Sequence, residues 1–140
     1  MIAIDTSILV AGLLAWHERH EAAARALGRA LSAKEGFVIP VHVVVESYAV
    51  LTRLPSPHRL SSADALSLLR ENFREAKLAS LASRSVWPLL ERLAETEISG
   101  GTTYDALTIE AAQDAGATRL LTLNAQDFER FDAGIEIIEP

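Results

Sequence analysis

Four acidic side chains stand where an α/β chain would place reactive groups: Asp5 in "IDTS", Glu46 in "VHVVVESYAVL", Asp105 in "TTYDALTIEAA" and Asp127 in "LLTLNAQDF". Asp5 closes an apolar run, and Asp105 and Asp127 fall at expected helix starts. If the fold gathers these groups, like charges at short range raise one another's pKa. A hard divalent cation such as Mg²⁺, which takes oxygen ligands and keeps several waters, resolves that crowding. Such a site activates water and stabilises the attacking and leaving oxygens of an in-line displacement. The chemistry indicated is metal-dependent phosphodiester cleavage.

Each acid also has a plainer use. Asp5 can cap the helix that starts near Ser7. Asp105, in a first helical turn, interacts favourably with the helix dipole. Asp127 can return a capping-box bond to Asn124, three residues earlier. Glu46 is the hardest to explain this way, because its helix is so apolar that most of it should be buried, and an ionised Glu is seldom buried unpaired. His42, four residues before Glu46, and Arg53, seven after it, are its candidate partners. Caps and pairs taken one at a time do not account for three acids sharing the carboxyl end of one sheet.

The elements that must position these residues follow from the apolar periodicity. Short strand-like runs at Ile2 to Asp5, Phe37 to Ile39, Lys77 to Leu81, Leu120 to Thr122 and Glu136 to Ile138 alternate with helical stretches. The helices are expected near Ser7 to Leu14, His17 to Ser32, Val41 to Leu54, Ser61 to Phe73, Ser83 to Ala94, Thr103 to Ala115 and Ala125 to Phe131. Alternation of this kind gives an α/β fold in three layers, a mostly parallel sheet of about five strands flanked by helices. In such a sheet ligands bind outside the carboxyl ends of the strands, where strand order reverses. The 140 residues, 49% of them apolar, suit a single domain over 1–140.

The absence of cysteine removes disulfides and thiolate metal sites, so any metal must sit on oxygen or imidazole. No apolar run approaches a membrane span, and the chain enters its first strand at Ile2 without a basic leader; the expectation is a cytoplasmic protein with no membrane partner. The net charge of −6 argues weakly against a nucleic-acid partner, since bound divalent cations would cancel much of it. Eleven of the 13 basic residues are Arg, which suits bidentate contacts to phosphate.

The three stretches "IDTSILVAGL", "VHVVVESYAVLTRLP" and "YDALTIEAAQDAGATRLLTLNAQDF" resemble, in order and spacing, those of a PIN-domain ribonuclease. More narrowly they resemble the VapC toxin of bacterial and archaeal toxin–antitoxin pairs, and the likeness runs nearly end to end. The resemblance implies a three-layer PIN-like fold and an Mg²⁺- or Mn²⁺-dependent endoribonuclease that cuts structured RNA such as tRNA or ribosomal RNA, leaving a 5′-phosphate and a 3′-hydroxyl. It carries the family's four acids onto Asp5, Glu46, Asp105 and Asp127, as metal ligands and catalytic groups. Thr6 and Asn124 match the supporting hydroxyl and amide. It also implies a homodimer silenced by a cognate VapB-like antitoxin.

Two departures stand out. Thr108 and Glu110 replace small residues common in relatives, and Glu110, five residues past Asp105, is read as solvated surface; residues 55–97 carry no motif. Among rivals, a haloacid-dehalogenase-like phosphatase wants a second Asp where Ser7 stands. A receiver domain wants a paired acid near the first and a Lys after the last strand. A non-catalytic PIN-fold module that binds RNA or protein is the remaining alternative, disfavoured by the intact acids.

Overall fold

The computed structural model describes residues 1–131 and 134–140. Five parallel strands, β1 (Ile2–Ile4), β2 (Phe37–Pro40), β3 (Leu78–Ala79), β4 (Arg119–Leu121) and β5 (Glu136–Ile138), form one sheet in the order β3-β2-β1-β4-β5. Side chains alternate between the faces of a strand, and here the alternation builds two cores. Ile2, Ile4, Ile39 and Leu121 pack against α1 (Thr6–Leu13), α2 (His20–Leu31), α3 (Val41–Arg53) and α4 (Ser62–Phe73). Ala3, Val38 and Leu120 face α6 (Thr102–Asp114) and α7 (Ala125–Glu129) on the opposite side, and α5 (Val86–Glu95) packs along α6 through Leu89, Leu93 and Ala106. The three-layer α/β architecture is the one the sequence pattern called for.

Close approach of α1 and α2 depends on small residues. A Cβ on Gly12 would meet Leu27 Cδ2 at 3.3 Å, and buried Ala23, Ala26 and Ala30 line the α2 face of the same contact. At the far end of α6, Gly116 takes φ of 81°, the left-handed conformation in which a helix C-terminus commonly closes.

Several boundaries differ from the sequence reading for local reasons. Helix α2 starts at His20 rather than near His17, because His17 N–H bonds Leu14 O and His20 N–H bonds His17 O in consecutive tight turns. Strand β3 is two residues long and, among the described residues, pairs with β2 alone at the sheet edge. The helix expected from Ser83 begins as a 3-10 turn, Ser83–Ser85, before α5 proper. No helix among the described residues is long and apolar enough to cross a membrane.

The feature that matters for chemistry is the reversal of strand order at β1. From β1 the chain steps outward through β2 to β3, and later returns to the other side of β1 through β4 to β5. A crevice opens at the carboxyl ends of β1 and β4, as at the switch point of any doubly wound sheet.

Candidate active site

Asp5 follows β1 and sits in that crevice, 8% exposed. It caps α1, as one of its plainer readings anticipated, and the cap is only part of its network. Oδ2 accepts from Ser7 N–H at 3.2 Å, from Ser7 Oγ at 2.6 Å and from Thr122 Oγ1 at 2.8 Å. Ser7 Oγ accepts in turn from Leu123 N–H at 2.9 Å, and Thr122 Oγ1 from Asn124 N–H at 3.1 Å. Each hydroxyl has one proton to give, and both go to Asp5. One carboxylate oxygen is thereby saturated, while Oδ1 accepts no hydrogen bond among the described residues.

Glu46 departs from expectation. It is exposed rather than buried, because α3 carries apolar side chains on more than its inward face; Val45 beside it is 64% exposed. Neither of its expected partners hydrogen-bonds or ion-pairs with it among the described residues. His42 Nε2 bonds Thr108 Oγ1 at 2.8 Å, and Arg53 makes no ion pair among the described residues. Instead Thr6 Oγ1 donates to Glu46 Oε2 at 2.7 Å, so the first turn of α1 ties the α3 carboxylate to the crevice.

Asp105 occupies the first turn of α6, where no side chain caps the helix. Its pKa is pushed up to about 6, first by burial and then by the charges of Asp127, Asp5 and Glu46, against a smaller opposing pull from Arg130. Asp127, in the first turn of α7, lies 4.0 Å from Arg130. The capping box drawn for it from the sequence does not form: Asn124 makes no side-chain cap bond, and the turn closes through Asp127 N–H to Asn124 O at 3.0 Å. All four acids, with Thr6 and Asn124, line one pocket of about 430 Å³.

The donor set is entirely oxygen, which suits a hard cation such as Mg²⁺ or Mn²⁺. Crowding of the carboxylates around Asp105 and the uncommitted Oδ1 of Asp5 fit the same kind of ligand. Among the described residues no three His, Asp or Glu side chains converge tightly enough to bind one ion together. That spacing suits a cation bound by one or two carboxylates with water completing its shell, which is how Mg²⁺ is commonly held.

Several residues around the acids had no role assigned from sequence. Ser7 and Thr122 hold Asp5, and the signal was present in hydroxyl residues two positions after an acid and at the end of a strand. Thr108 donates to Tyr104 O at 2.9 Å, which leaves its oxygen to accept from His42 Nε2. Burial lowers the pKa of His42, opposed by Glu46 and Asp5, so a neutral imidazole bridges α3 to α6 beneath the pocket. Glu110 is not solvated surface: Arg92 Nη2 of α5 donates to its Oε2 at 2.6 Å.

Comparison with known proteins agrees with this geometry. A family model described as PIN domain matches residues 2–134. Ribonuclease VapC40 of Mycobacterium tuberculosis is 42% identical over 141 residues, spanning 99% of each chain. Ribonuclease VapC27 of the same species is 36% identical over 138 residues, covering 98% of this chain and 95% of the relative. Among solved structures, M. tuberculosis VapC20, described as a sarcin-ricin loop cleaving toxin, superposes with a TM-score of 0.73 at 16% identity, covering 96% of this chain and 98% of that one. VapBC2 from Rickettsia felis, bound to a DNA fragment from its promoter, gives a TM-score of 0.71 at 18% identity, covering 100% and 99%. The two structural likenesses speak for the fold, and the sequence identities over nearly whole chains go further: the chain belongs to the PIN domain family, among its members of VapC type.

Proposed function

We propose that the chain is a divalent-metal-dependent endoribonuclease, the toxin of a type II toxin–antitoxin pair, which hydrolyses structured RNA such as tRNA or ribosomal RNA. The observation that carries this reading is the convergence of Asp5, Glu46, Asp105 and Asp127 on one pocket, with Asp105 raised to about 6 by burial and then by its neighbours' charges. Relatives named as ribonucleases, and a structural neighbour described as cleaving the sarcin-ricin loop, support a structured RNA substrate.

In this reading Asp5, Asp105, Glu46 and Asp127, one or two to an ion, would hold Mg²⁺ or Mn²⁺, which when bound would supply an acidified water and charge neutralisation at the scissile phosphate. Ser7 and Thr122 hold Asp5 through Oδ2, which leaves Oδ1 without a hydrogen bond among the described residues. Thr6 restrains the exposed Glu46 side chain, and Asn124 stands beside Asp127 at the opposite wall. In the metal-free chain Asp105 has a pKa raised to about 6, by burial first, and in this reading one of the carboxylates accepts a proton from the attacking water. A single catalytic unit over 1–140 acts as a homodimer, held silent by a small VapB-like antitoxin; solved complexes of relatives with their antitoxins support that partner.

The test is cleavage of purified tRNA and ribosomal RNA by the purified chain with Mn²⁺, Mg²⁺ or EDTA, alongside Asp105→Asn. Metal-dependent cuts that vanish in EDTA and in the variant are expected. RNA that binds but stays intact with every metal would assign the chain to the non-catalytic alternative.

A further inference from the structure

At one edge of the acid pocket lies the segment between α1 and α2, whose side chains the acid chemistry does not use. His17, Glu18 and Arg19 line the pocket together with the four acids, and among the described residues Arg19 is the only Arg or Lys in that lining. Arg19 makes no ion pair among the described residues, whereas Arg130 is drawn to Asp127. Its backbone N–H donates to His17 Nδ1 at 3.1 Å, and an accepting Nδ1 places the proton of a neutral ring on Nε2, which is then a donor. Next in the chain, Trp16 is 48% exposed and stacks on the exposed ring of His58, with centroids 3.9 Å apart and planes at 22°. Consecutive turns through His17 and the bond between His20 Nδ1 and Ala11 O, at 2.9 Å, fix the backbone that presents these groups.

We propose that Trp16, His17, Arg19 and His58 form a nucleotide subsite at the pocket mouth, in which Arg19 and His17 hold an RNA phosphate and the Trp16–His58 stack receives an adjoining base. A guanidinium contacts phosphate with paired donors, and an exposed aromatic stack offers a base a face in a sequence-tolerant way. A pocket lined by five carboxylates, the four acids and Glu18, repels the polyanion it must admit, and Arg19, with no ion pair among the described residues, offsets that repulsion at its edge. The inference rests on the ribonuclease reading of the neighbouring pocket.

Trp87, 71% exposed on α5, is the second of the chain's two tryptophans. A Trp87→Phe variant therefore reports Trp16 emission alone. Titrated in EDTA with a short oligoadenylate, it should show saturable quenching that inorganic phosphate does not reproduce. Adding Arg19→Ala should weaken binding about tenfold and lower the slope of log affinity against log salt by about one. In metal-supported cleavage Trp16→Ala should raise KM by about five- to a hundredfold with kcat held within about twofold, and Trp16→Phe should restore it. A parent chain that cleaves RNA yet shows no quenching, or a Trp16→Ala variant with unchanged KM, overturns the subsite. Unchanged oligoadenylate binding with lost capture of the antitoxin would give this surface to a protein partner and overturn it too. Quenching by a chain that never cleaves with any metal would sink the nuclease reading and leave the subsite standing.

Discussion

Thr122 donates its hydroxyl proton to Asp5 Oδ2 across 2.8 Å, joining the ends of two adjacent strands from residues 117 positions apart. Thr122→Val keeps the shape and strand preference of the side chain but strips this donor, and it leaves Asn124 N–H without its acceptor. Unfolding in EDTA should show a loss of about 1–3 kcal/mol, and RNA cleavage should fall with it. Thr122→Ser should recover both; an unchanged denaturation curve for the Val variant would show that the bond carries no stability.

Asp5→Asn separates the capping role from the charge. The amide oxygen of Asn can still accept from Ser7 and Thr122, and Asn caps helices as well as Asp does. Removing the charge relieves the crowding felt by Asp105. In EDTA the variant should therefore melt no lower than the parent, while Mn²⁺ should raise its melting temperature less, since a ligand of the folded state stabilises in proportion to its affinity. A clear destabilisation with an undiminished Mn²⁺ effect would make Asp5 a cap alone.

Asp105 predicts a pH dependence of definite sign. Its folded pKa of about 6 lies above its ordinary 3.8, so the folded chain holds that proton more tightly than the unfolded chain does. The associated stability is present below about pH 4 and is lost as pH rises through about 6. Melting curves in EDTA should show this decline for the parent and its absence in Asp105→Asn, which should melt above the parent at pH 7. A bound cation must displace the same proton, so Mn²⁺ affinity should climb with pH up to about 6 and then level. Affinity flat between pH 5 and 7 would separate Asp105 from the metal.

The bond from Thr6 to Glu46 acts on an exposed side chain, so its loss should be felt in rate more than in fold. Thr6→Val should lower kcat by about tenfold, roughly the worth of one such hydrogen bond, with a melting temperature close to the parent's. Thr6→Ser should rescue it. Equal activity in all three would leave Glu46 correctly placed without help.

The Arg92–Glu110 pair offers a contrast remote from the acids. Its guanidinium is half exposed, so Arg92→Ala should cost no more than about 1 kcal/mol. Cleavage per folded molecule should not change; a large loss of rate would tie α5 to the site.

Residues that repeat a simple period were legible from the sequence. Ile2, Ile4 and Leu121 on one face, with Ala3 and Leu120 on the other, fixed both layers of helices, and the positions of Asp5, Asp105 and Asp127 at helix starts foretold their convergence. Glu46 lines the pocket, but not for the reason its sequence context suggested. Apolar composition suggested burial, but burial on a helix depends on which faces find partners, and α3 leaves Val45 and Tyr48 partly in solvent. The Asn124–Asp127 capping box and the solvated Glu110 failed similarly, since local spacing cannot reveal that Arg92 lies across from Glu110. The Ser7–Asp5–Thr122 network needs the register Ile4↔Leu121, which only the folded sheet supplies.

The placement of β1 between β2 and β4 also sets the order in which the pocket can come into being. A polypeptide growing from its N-terminus can pair Ala3 with Val38 early, but the partner of its other edge, Arg119–Leu121, emerges only after residues 39–118 have been made. Until then Asp5 lacks Thr122, and neither Asp105 nor Asp127 has a wall to occupy. A nascent chain on the ribosome, surrounded by RNA, thus has no complete acid set until Asp127 has been made.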